Sequence, residues 1–519
     1  MEGLTTTSSI LLLCISIVVP LLIFMVKNRG GRKNLPPGPP ALLFIAKCLM
    51  LKGPIYQLGP ILRSLHARYG PIVSVYLGGR TFVFVADRKL AHSALVKGGG
   101  NFDTRPQPSE IFTLFLGGSM SASPLGDYFR LVRRNLHSQA LHPSRVRLFA
   151  PARKRVCDAF VASLRRDAAS QSQQQQQQGG GGIVTVRPLL ARCLFDLLMY
   201  MTFGVRIGQE ALDEMQQMQL KISEAISRFP VLSIFQPITK RLQRKQWARD
   251  MALRERQKDL TLPLIHHHHA PRDQDDGGPR CRCYADSLLE LRVAEEGDRP
   301  LTDDEMVSLC SEFMIASLDT SVALLEWIMA DIVNHPDVQD KLYQEVRDKP
   351  ELTDDVLRGG GMPYLKAVVL EGLRLRPTGH LVFPHGVQSD AELGGYMVPK
   401  GADINFLVAD FGLDETVWPA AREFRPERFL LQQQNHHHLD PVDITGTKEI
   451  KMVPFGAGRR MCPGYALATL HAEYFVGSLV REFQWLPPAP KDTAVDMTEE
   501  LAMAINMKHP LRARIIPRA

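Results

Sequence analysis

The chain has 519 residues, 45% of them hydrophobic and 23% charged, an ordinary globular composition with enough apolar material for a large core. Its formal net charge of +7 is mild for this length and suits an anionic membrane surface or an acidic protein partner. No basic run with interleaved aromatic residues occurs, so the sequence lacks the pattern typical of nucleic-acid-binding proteins. The eight cysteines are too irregularly spaced for a disulfide framework.

The first 33 residues predict a membrane anchor with a basic flank. Residues 10–26 are apolar except for Ser16 and Pro20, and this stretch is near the lower limit of about 17–25 residues for a spanning helix. A cleaved signal peptide needs a basic start, which is missing here, so an anchor is favoured over a signal peptide or a buried core helix. The positive-inside rule then predicts that residues 34–519 form a cytosolic body, because a basic cluster follows the apolar stretch: Lys27, Arg29, Arg32 and Lys33.

Two short features follow the anchor. The proline-rich run 35–40 cannot form a helix and predicts a stiff strut between membrane and body. Residues 73–77 and 81–85 have the pattern of β-strands, and the glycine pair between them predicts a β-hairpin. Helical patterning then dominates and predicts a mostly α fold with small β-sheets, with helices at about 124–136, 188–203, 211–227 and 303–334.

Three low-complexity runs, at 170–182, 266–278 and 432–438, predict solvated loops. Two of them contain histidine runs that are capable of binding metal. No cysteine or carboxylate set beside these histidines completes a coordination shell, so a solvated insertion is the favoured interpretation.

The strongest functional signal is the loop Phe455–Gly464, which carries Cys462 and leads into a helical pattern. A cysteine at the mouth of a helix faces unpaired backbone N–H groups and the positive end of the helix dipole, and both favour the thiolate. The glycines allow a flat ligand to approach closely. The spacing of five residues resembles that of the cytochrome P450 family, whose thiolate binds haem iron: Phe455, Gly458, Arg460, Cys462 and Gly464.

The resemblance implies how this loop would hold haem b. Cys462 would be the iron ligand, and Phe455 and Gly456 would contact the cofactor. Arg460, two residues before the sulfur, would meet an acidic edge of the haem.

The resemblance also implies propionate contacts from Arg133 and His385. The family has a tryptophan where Phe129 stands in this chain. Phenylalanine lacks the indole N–H, so one hydrogen bond of the family pattern is absent here.

Glu371 and Arg374 fit the family's Glu-x-x-Arg motif, and their i,i+3 spacing places both side chains on one helix face. Pro426–Phe429 resembles the family's Pro-Glu-Arg-Phe segment. The resemblance implies a buried triad of Glu371, Arg374 and Arg428. Its role would be structural, because buried charges require mutual pairing.

The segment Met314–Ser321 lies in the longest helical pattern. The resemblance implies that this helix crosses the haem and that Asp319 and Thr320 form an acid–alcohol pair that relays protons to the oxygen activated there. Without the resemblance, a surface aspartate and a threonine bonded back to its own helix would be the simpler interpretation. Ser317 and Leu318 replace the family's glycine and small polar residue, and the second change makes the pocket more apolar.

The resemblance covers nearly the whole chain and implies a single haem domain behind the transmembrane helix. The implied reaction inserts one oxygen atom of O2 into a hydrophobic substrate, with electrons from NADPH through a separate reductase. No glycine-rich dinucleotide fingerprint occurs, so the chain itself is not expected to bind NADPH. Residues 141–145 resemble plant family 89, and with the anchor they predict an endoplasmic reticulum membrane location.

Two alternative functions remain open. One is a haem-thiolate isomerase or dehydratase that needs no O2, and the other is a non-catalytic haem sensor. The substrate cannot be read from the sequence. The segments expected to line its pocket are apolar and indicate only a hydrophobic molecule: 111–120, 314–318, 381–383 and 500–505.

Overall fold

The computed structural model describes residues 34–50, 58–77, 79–174, 182–227, 243–266, 282–349, 351–434, 442–489 and 494–518. The predicted membrane anchor lies outside these ranges, as does most of each low-complexity run. The prediction of loops is wrong at residues 170–174, 266 and 432–434, where helices continue to Gln174, His266 and Gln434, and at residue 182, where a strand begins. Glutamine is a good helix former, and polarity alone does not end a helix.

Helices make up most of the fold, as predicted. They are α1 (Ala41–Met50), α2 (Leu58–Tyr69), α3 (Arg88–His92), α4 (Gly99–Phe102), α5 (Glu110–Leu116), α6 (Asp127–Leu136), α7 (Pro143–Leu148), α8 (Ala150–Gln174), α9 (Val186–Phe203), α10 (Gln209–Ser227), α11 (Arg244–His266), α12 (Tyr284–Leu289), α13 (Asp303–Asn334), α14 (Pro336–Val346), α15 (Asp354–Arg358), α16 (Pro363–Leu375), α17 (Val408–Phe411), α18 (Glu427–Gln434) and α19 (Tyr465–Glu482).

The strands form small sheets at the edges of the helical body. They are β1 (Ile72–Leu77), β2 (Arg80–Val85), β3 (Gly182–Thr185), β4 (Arg292–Val293), β5 (Arg299–Pro300), β6 (His385–Gly386), β7 (Ala391–Leu393), β8 (Tyr396–Val398), β9 (Asp403–Phe406), β10 (Phe483–Leu486), β11 (Glu499–Leu501), β12 (Ile505–Met507) and β13 (Arg512–Pro517). The larger sheets have the orders β1-β2-β9-β6 and β10-β13-β3.

The predicted hairpin is confirmed, with β1 and β2 antiparallel and Ile72 opposite Val85. The proline run lies against this hairpin, because the Ser74 backbone N–H donates to the carbonyl of Pro37 at 2.9 Å and the Ser74 hydroxyl donates to that of Pro36 at 2.6 Å. The strut is therefore packed on the sheet where it joins the body.

Helix α13 is the centre of the core. Its 32 residues give a length of about 48 Å. It begins in a capping box, in which the Thr302 hydroxyl and the Glu305 carboxylate each accept from the other residue's backbone N–H. It ends at Asn334, two residues before a proline. Of the described helices, only α13 is long and apolar enough to cross a membrane, but most of its apolar stretch is buried inside the protein.

Helices α9, α16 and α19 pack against α13 and fix the site around it. Helices α16 and α13 approach closely at Gly372 of α16, where an added Cβ would lie 2.4 Å from Cγ1 of Ile328 on α13. Only a glycine lets α16 lie this close to α13.

We predict that Gly372→Ala lowers the free energy of unfolding by about 1–3 kcal/mol, the usual effect of overpacking a core. Thermal unfolding of the full-length protein measures the change. Ile328→Ala removes the clashing atoms, so the double variant should be more stable than the sum of the two single effects implies. Strictly additive effects would mean that the two helices do not meet at Gly372.

Candidate functional site

The loop before α19 is held closed by backbone geometry. The Cys462 N–H donates to the carbonyl of Phe455 at 2.9 Å. Gly456 and Gly458 both have positive φ angles, of 71° and 72°. A Cβ on Gly458 would lie 2.1 Å from the backbone oxygen of Leu95, so the motif needs glycine there for space as well as conformation.

The Cys462 side chain is exposed to solvent even though the surrounding protein desolvates its thiol. This combination is typical of a residue on the wall of an internal cavity. The Gly464 N–H donates to the sulfur, and Arg133 adds positive charge; both lower the thiol pKa, but burial outweighs them and raises it overall. The Gly464 N–H at the start of α19 stabilises the thiolate as predicted, and desolvation opposes it.

The middle of α13 opens toward a cavity on one face. Ala316 is exposed and Thr320 half-buried, although the residues before and after this segment are mostly buried. Glu312, Ala316 and Thr320 are spaced i, i+4 and i+8, so they share one face of the helix. An exposed alanine in a core helix indicates an internal opening.

Asp319 and Thr320 lie next to each other but bond in different directions. The Thr320 hydroxyl donates to the Ala316 carbonyl at 2.7 Å, which leaves its oxygen free to accept a proton donor from the cavity. The Asp319 carboxylate accepts from the Ser223 hydroxyl of α10 at 2.7 Å. Burial raises the pKa of Asp319, and the Ser223 hydrogen bond lowers it. Asp319 is therefore not a surface aspartate.

Three guanidinium groups gather beside the loop. Arg460 donates to the carbonyls of Asp103, Met120 and Ser123, and Arg133 donates to that of Met461 at 2.7 Å. Arg105, which the sequence analysis missed, donates to the carbonyls of Pro384 and Phe383. Burial, reinforced by the charges of the other arginines, lowers the pKa of Arg105 to about 9 and that of Arg460 to about 10.

Few carboxylates balance these three cations. Glu312 accepts the N–H groups of Met120 and Ser121 at 2.9 and 2.7 Å, and burial raises its pKa. Asp103 pairs with the mostly exposed Arg459 at 3.1 Å. The Nε of Arg105 is buried without a hydrogen-bond partner in the described part of the chain. The cluster suits a ligand that brings its own carboxylates.

Phe129 lacks the indole N–H of a tryptophan, but its ring contacts two arginines of the site. The guanidinium carbon of Arg460 lies 4.0 Å from the centre of its ring, and that of Arg133 lies 5.8 Å away. The ring is buried, so a desolvated cation–π contact holds the two arginines.

His385 is buried and bonded on one side. Its Nδ1 lies 2.6 Å from the carbonyl of Phe102, which can only accept, so Nδ1 carries a proton. Burial and the neighbouring arginines lower the His385 pKa to about 3, which keeps the ring neutral. A neutral ring then presents Nε2 as an acceptor, so the predicted propionate contact requires a second proton on this histidine.

The structure brings together the predicted triad. Arg374 binds Glu371 through two hydrogen bonds of 2.7 and 2.8 Å, and Arg428 binds the same carboxylate at 3.0 Å. The backbone N–H of Arg425 adds a fourth bond to it at 2.8 Å. Both arginines also donate to backbone carbonyls of residues 412–423, so the triad fixes the chain that leads to the cysteine loop.

The contributions of Arg105, Glu312 and Ser223 were not found from the sequence. Glu312 lies two turns before Thr320 on the same helix face, and that spacing is the one local signal from which it could have been predicted. Arg105 and Ser223 reach the site only through contacts with distant segments.

A cysteine in a glycine-rich loop, a long core helix with an alcohol on its open face and an unbalanced arginine cluster define a haem-thiolate protein. The chain belongs to the cytochrome P450 family, whose model, Cytochrome P450, matches residues 36–512. It is therefore a haem-dependent oxidoreductase of the monooxygenase class.

Relatives cover nearly the whole chain. Cytochrome P450 89A9 of Arabidopsis thaliana is 36% identical over 98% of this chain and 97% of its own length. Isoflavone 3'-hydroxylase of Medicago truncatula is 28% identical over 97% of this chain and 96% of its own. A zebra fish cytochrome P450 structure with abiraterone has a TM-score of 0.69 at 22% identity, over 90% of this chain and all of that one, so the fold is shared.

We predict that Arg105→Met speeds haem release by about 10–100-fold, because a hydrogen bond to a charged group contributes about 1.5–3 kcal/mol. Haem transfer from the full-length protein to apomyoglobin measures the rate. Arg459→Met is the matched control, since its side chain is 63% exposed. Equal release rates in the two variants would exclude Arg105 from the haem site.

Proposed function

We propose that the chain is a membrane-bound monooxygenase that inserts one oxygen atom of O2 into a hydrophobic small molecule, with electrons from NADPH through a separate cytochrome P450 reductase. The observation that carries the proposal is the solvent-accessible Cys462 thiol in a closed glycine loop, with Arg133 beside it. This arrangement suits one flat ligand with a metal at its centre and carboxylates at its edge.

The residues fit haem b. Cys462 would bind the iron, Phe455 and Gly456 would lie against the ring, and Arg133 and Arg460 would hold the propionates, together with Arg105. Haem bound in this way supplies the activation of O2. The protein would supply the sulfur ligand of the iron, the positive charges around the propionates and the path along which protons move.

Thr320 and Asp319 would supply the proton path. The Thr320 oxygen can hold a water on the open face of α13, because its own proton is already donated to Ala316. Asp319 is the nearest titratable group along the helix, and burial raises its pKa above the ordinary value of an aspartate, which favours a group that takes up and releases a proton. The exposed Ala316 leaves room for this water on the same helix face as Thr320.

The substrate would be apolar. Phe112 and Phe383 lie edge to face with ring centres 6.4 Å apart, and Phe383 is 43% exposed although it is large and apolar. Both lie in segments expected to line the pocket. Relatives are named isoflavone 3'-hydroxylase and tryptamine 5-hydroxylase, which supports a ring-containing substrate.

The proposed location is the endoplasmic reticulum membrane. Residues 1–33 would anchor the chain, and residues 34–519 would form the cytosolic haem domain. Leu42 and Leu43 at the start of α1 are exposed, immediately after the proline strut. Contact between these leucines and membrane lipid would remove them from water.

We predict that Cys462→Ser abolishes the thiolate haem, because a serine hydroxyl cannot replace the sulfur ligand. The reduced carbon-monoxide complex should lose its long-wavelength Soret band. Cys48→Ala on α1 is the control, since Cys48 packs in a separate core cluster. A Cys462→Ser protein that kept the band would end the assignment of the iron ligand and the proposed function with it.

We also predict that Thr320→Ala diverts oxygen without stopping electron uptake. General acid catalysis typically contributes about 10²–10⁴-fold, and the smaller end is expected because Ser317 or Ser321 can position a replacement water. The measurement is hydrogen peroxide released per NADPH consumed with added reductase. An unchanged ratio would remove Thr320 from the relay, and Thr320→Ala combined with Ser317→Ala would then test whether the serine has taken over.

A further inference from the structure

The side chain that orients Asp319 comes from another helix. Ser223 lies in α10, and its hydroxyl donates to Oδ2 of Asp319 at 2.7 Å. In the described part of the chain this is the only hydrogen bond to that carboxylate. Ser223 is 8% exposed, so water does not compete strongly for the contact.

The Ser223 hydroxyl donates to a neighbouring helix and not within its own helix. A serine in the middle of a helix usually donates to the carbonyl four residues earlier. Ser223 instead donates across to α13, with Sδ of Met503 also 3.5 Å from its oxygen. Met503 lies in the turn between β11 and β12, so the Ser223 hydroxyl is located where α10, α13 and this turn meet.

A second polar contact joins the same two helices without touching Asp319. The Ser311 hydroxyl of α13 donates to Oε1 of Gln219 at 3.1 Å, and the Gln257 amide of α11 donates to Ser311 at 2.8 Å. Gln219 lies one turn before Ser223 on α10. The packing of α10 on α13 therefore has one contact that reaches the acid and one that does not.

We propose that Ser223 is a positioning residue for the proton relay, and that its hydroxyl ties the orientation of the Asp319 carboxylate to the seating of α10 on α13. The proposal rests on the proposed monooxygenase function. A movement of α10 away from α13 would break this hydrogen bond, and the Asp319 side chain could then adopt other rotamers. The same movement would separate α10 from the part of α13 that carries Asp319, so the packing of the two helices and the supply of protons would change together.

Ser223 is assigned no contact with the haem or the reacting oxygen. Its effect passes through Asp319, whose charged form it stabilises by donating a proton into a hydrogen bond. Removing the hydroxyl would leave the carboxylate buried and unpartnered, which favours its neutral form and other rotamers.

The test uses the full-length protein with cytochrome P450 reductase and no added substrate. Oxygen then leaves as peroxide, which uses one NADPH for each O2, or as water, which uses two. The fraction that leaves as peroxide and the solvent deuterium isotope effect on water formation both report proton delivery. We compare Ser223→Ala, Ser223→Thr, Ser311→Ala and Asp319→Asn.

We expect Ser223→Ala to slow the water-forming branch about tenfold, the lower end of what a hydrogen bond to a charged group contributes, and to increase the isotope effect. Ser223→Thr keeps a hydroxyl and should restore both values. Ser311→Ala removes the other contact between the helices and should behave like the original protein, so a general loosening of α10 is distinguished from loss of the bond to Asp319.

The proposal is overturned if Ser223→Ala leaves the peroxide fraction unchanged while Asp319→Asn raises it. It is also overturned if Ser311→Ala matches Ser223→Ala, because packing alone would then explain the effect. An unchanged Asp319→Asn protein would remove the relay role of Asp319 and the role of Ser223 with it. In every case the carbon-monoxide band and NADPH consumption of the original protein report separately whether the proposed function stands.

Discussion

The repulsion among Arg105, Arg133 and Arg460 is the constraint on which the site depends. Burial and mutual repulsion lower the pKa values of Arg105 and Arg460, and Arg105 keeps an unpartnered Nε. Backbone carbonyls hold the three guanidinium groups in place but do not cancel their charge. An anion bound among them would offset both the burial of these charges and their mutual repulsion. The cofactor is thus part of the energetics of the folded chain.

Two other groups of polar residues hold the segments that surround this cluster of arginines. Glu312 ties α13 to the backbone of residues 120 and 121, next to the carbonyls that hold Arg460. The buried triad of Glu371, Arg374 and Arg428 fixes the segment before the cysteine loop. The first network therefore holds α13 to the segment that positions Arg460, and the second holds the chain that leads to Cys462.

The sequence predicted the features that local spacing determines. The glycine loop, the Glu371–Arg374 pair and the long core helix each follow from residues a few positions apart. Contacts between distant segments were not predictable in this way: Arg105 meets Pro384, and Ser223 meets Asp319 across 96 residues. The desolvation of the Cys462 thiol, which opposes the charge that the dipole favours, was also not predictable because it depends on the complete fold. The neutral state of His385 has the same origin.

In the proposed site, the sulfur of Cys462 would bind iron protoporphyrin at the metal, and the guanidinium groups of the arginine cluster would bind it at the carboxylates. The most direct measurement compares the affinity of the full-length protein, produced without haem, for haem and for haem dimethyl ester, which has no free carboxylates. We expect the ester to bind far more weakly, because the charges of the three arginines stay unbalanced. Equal affinity for the two would contradict it.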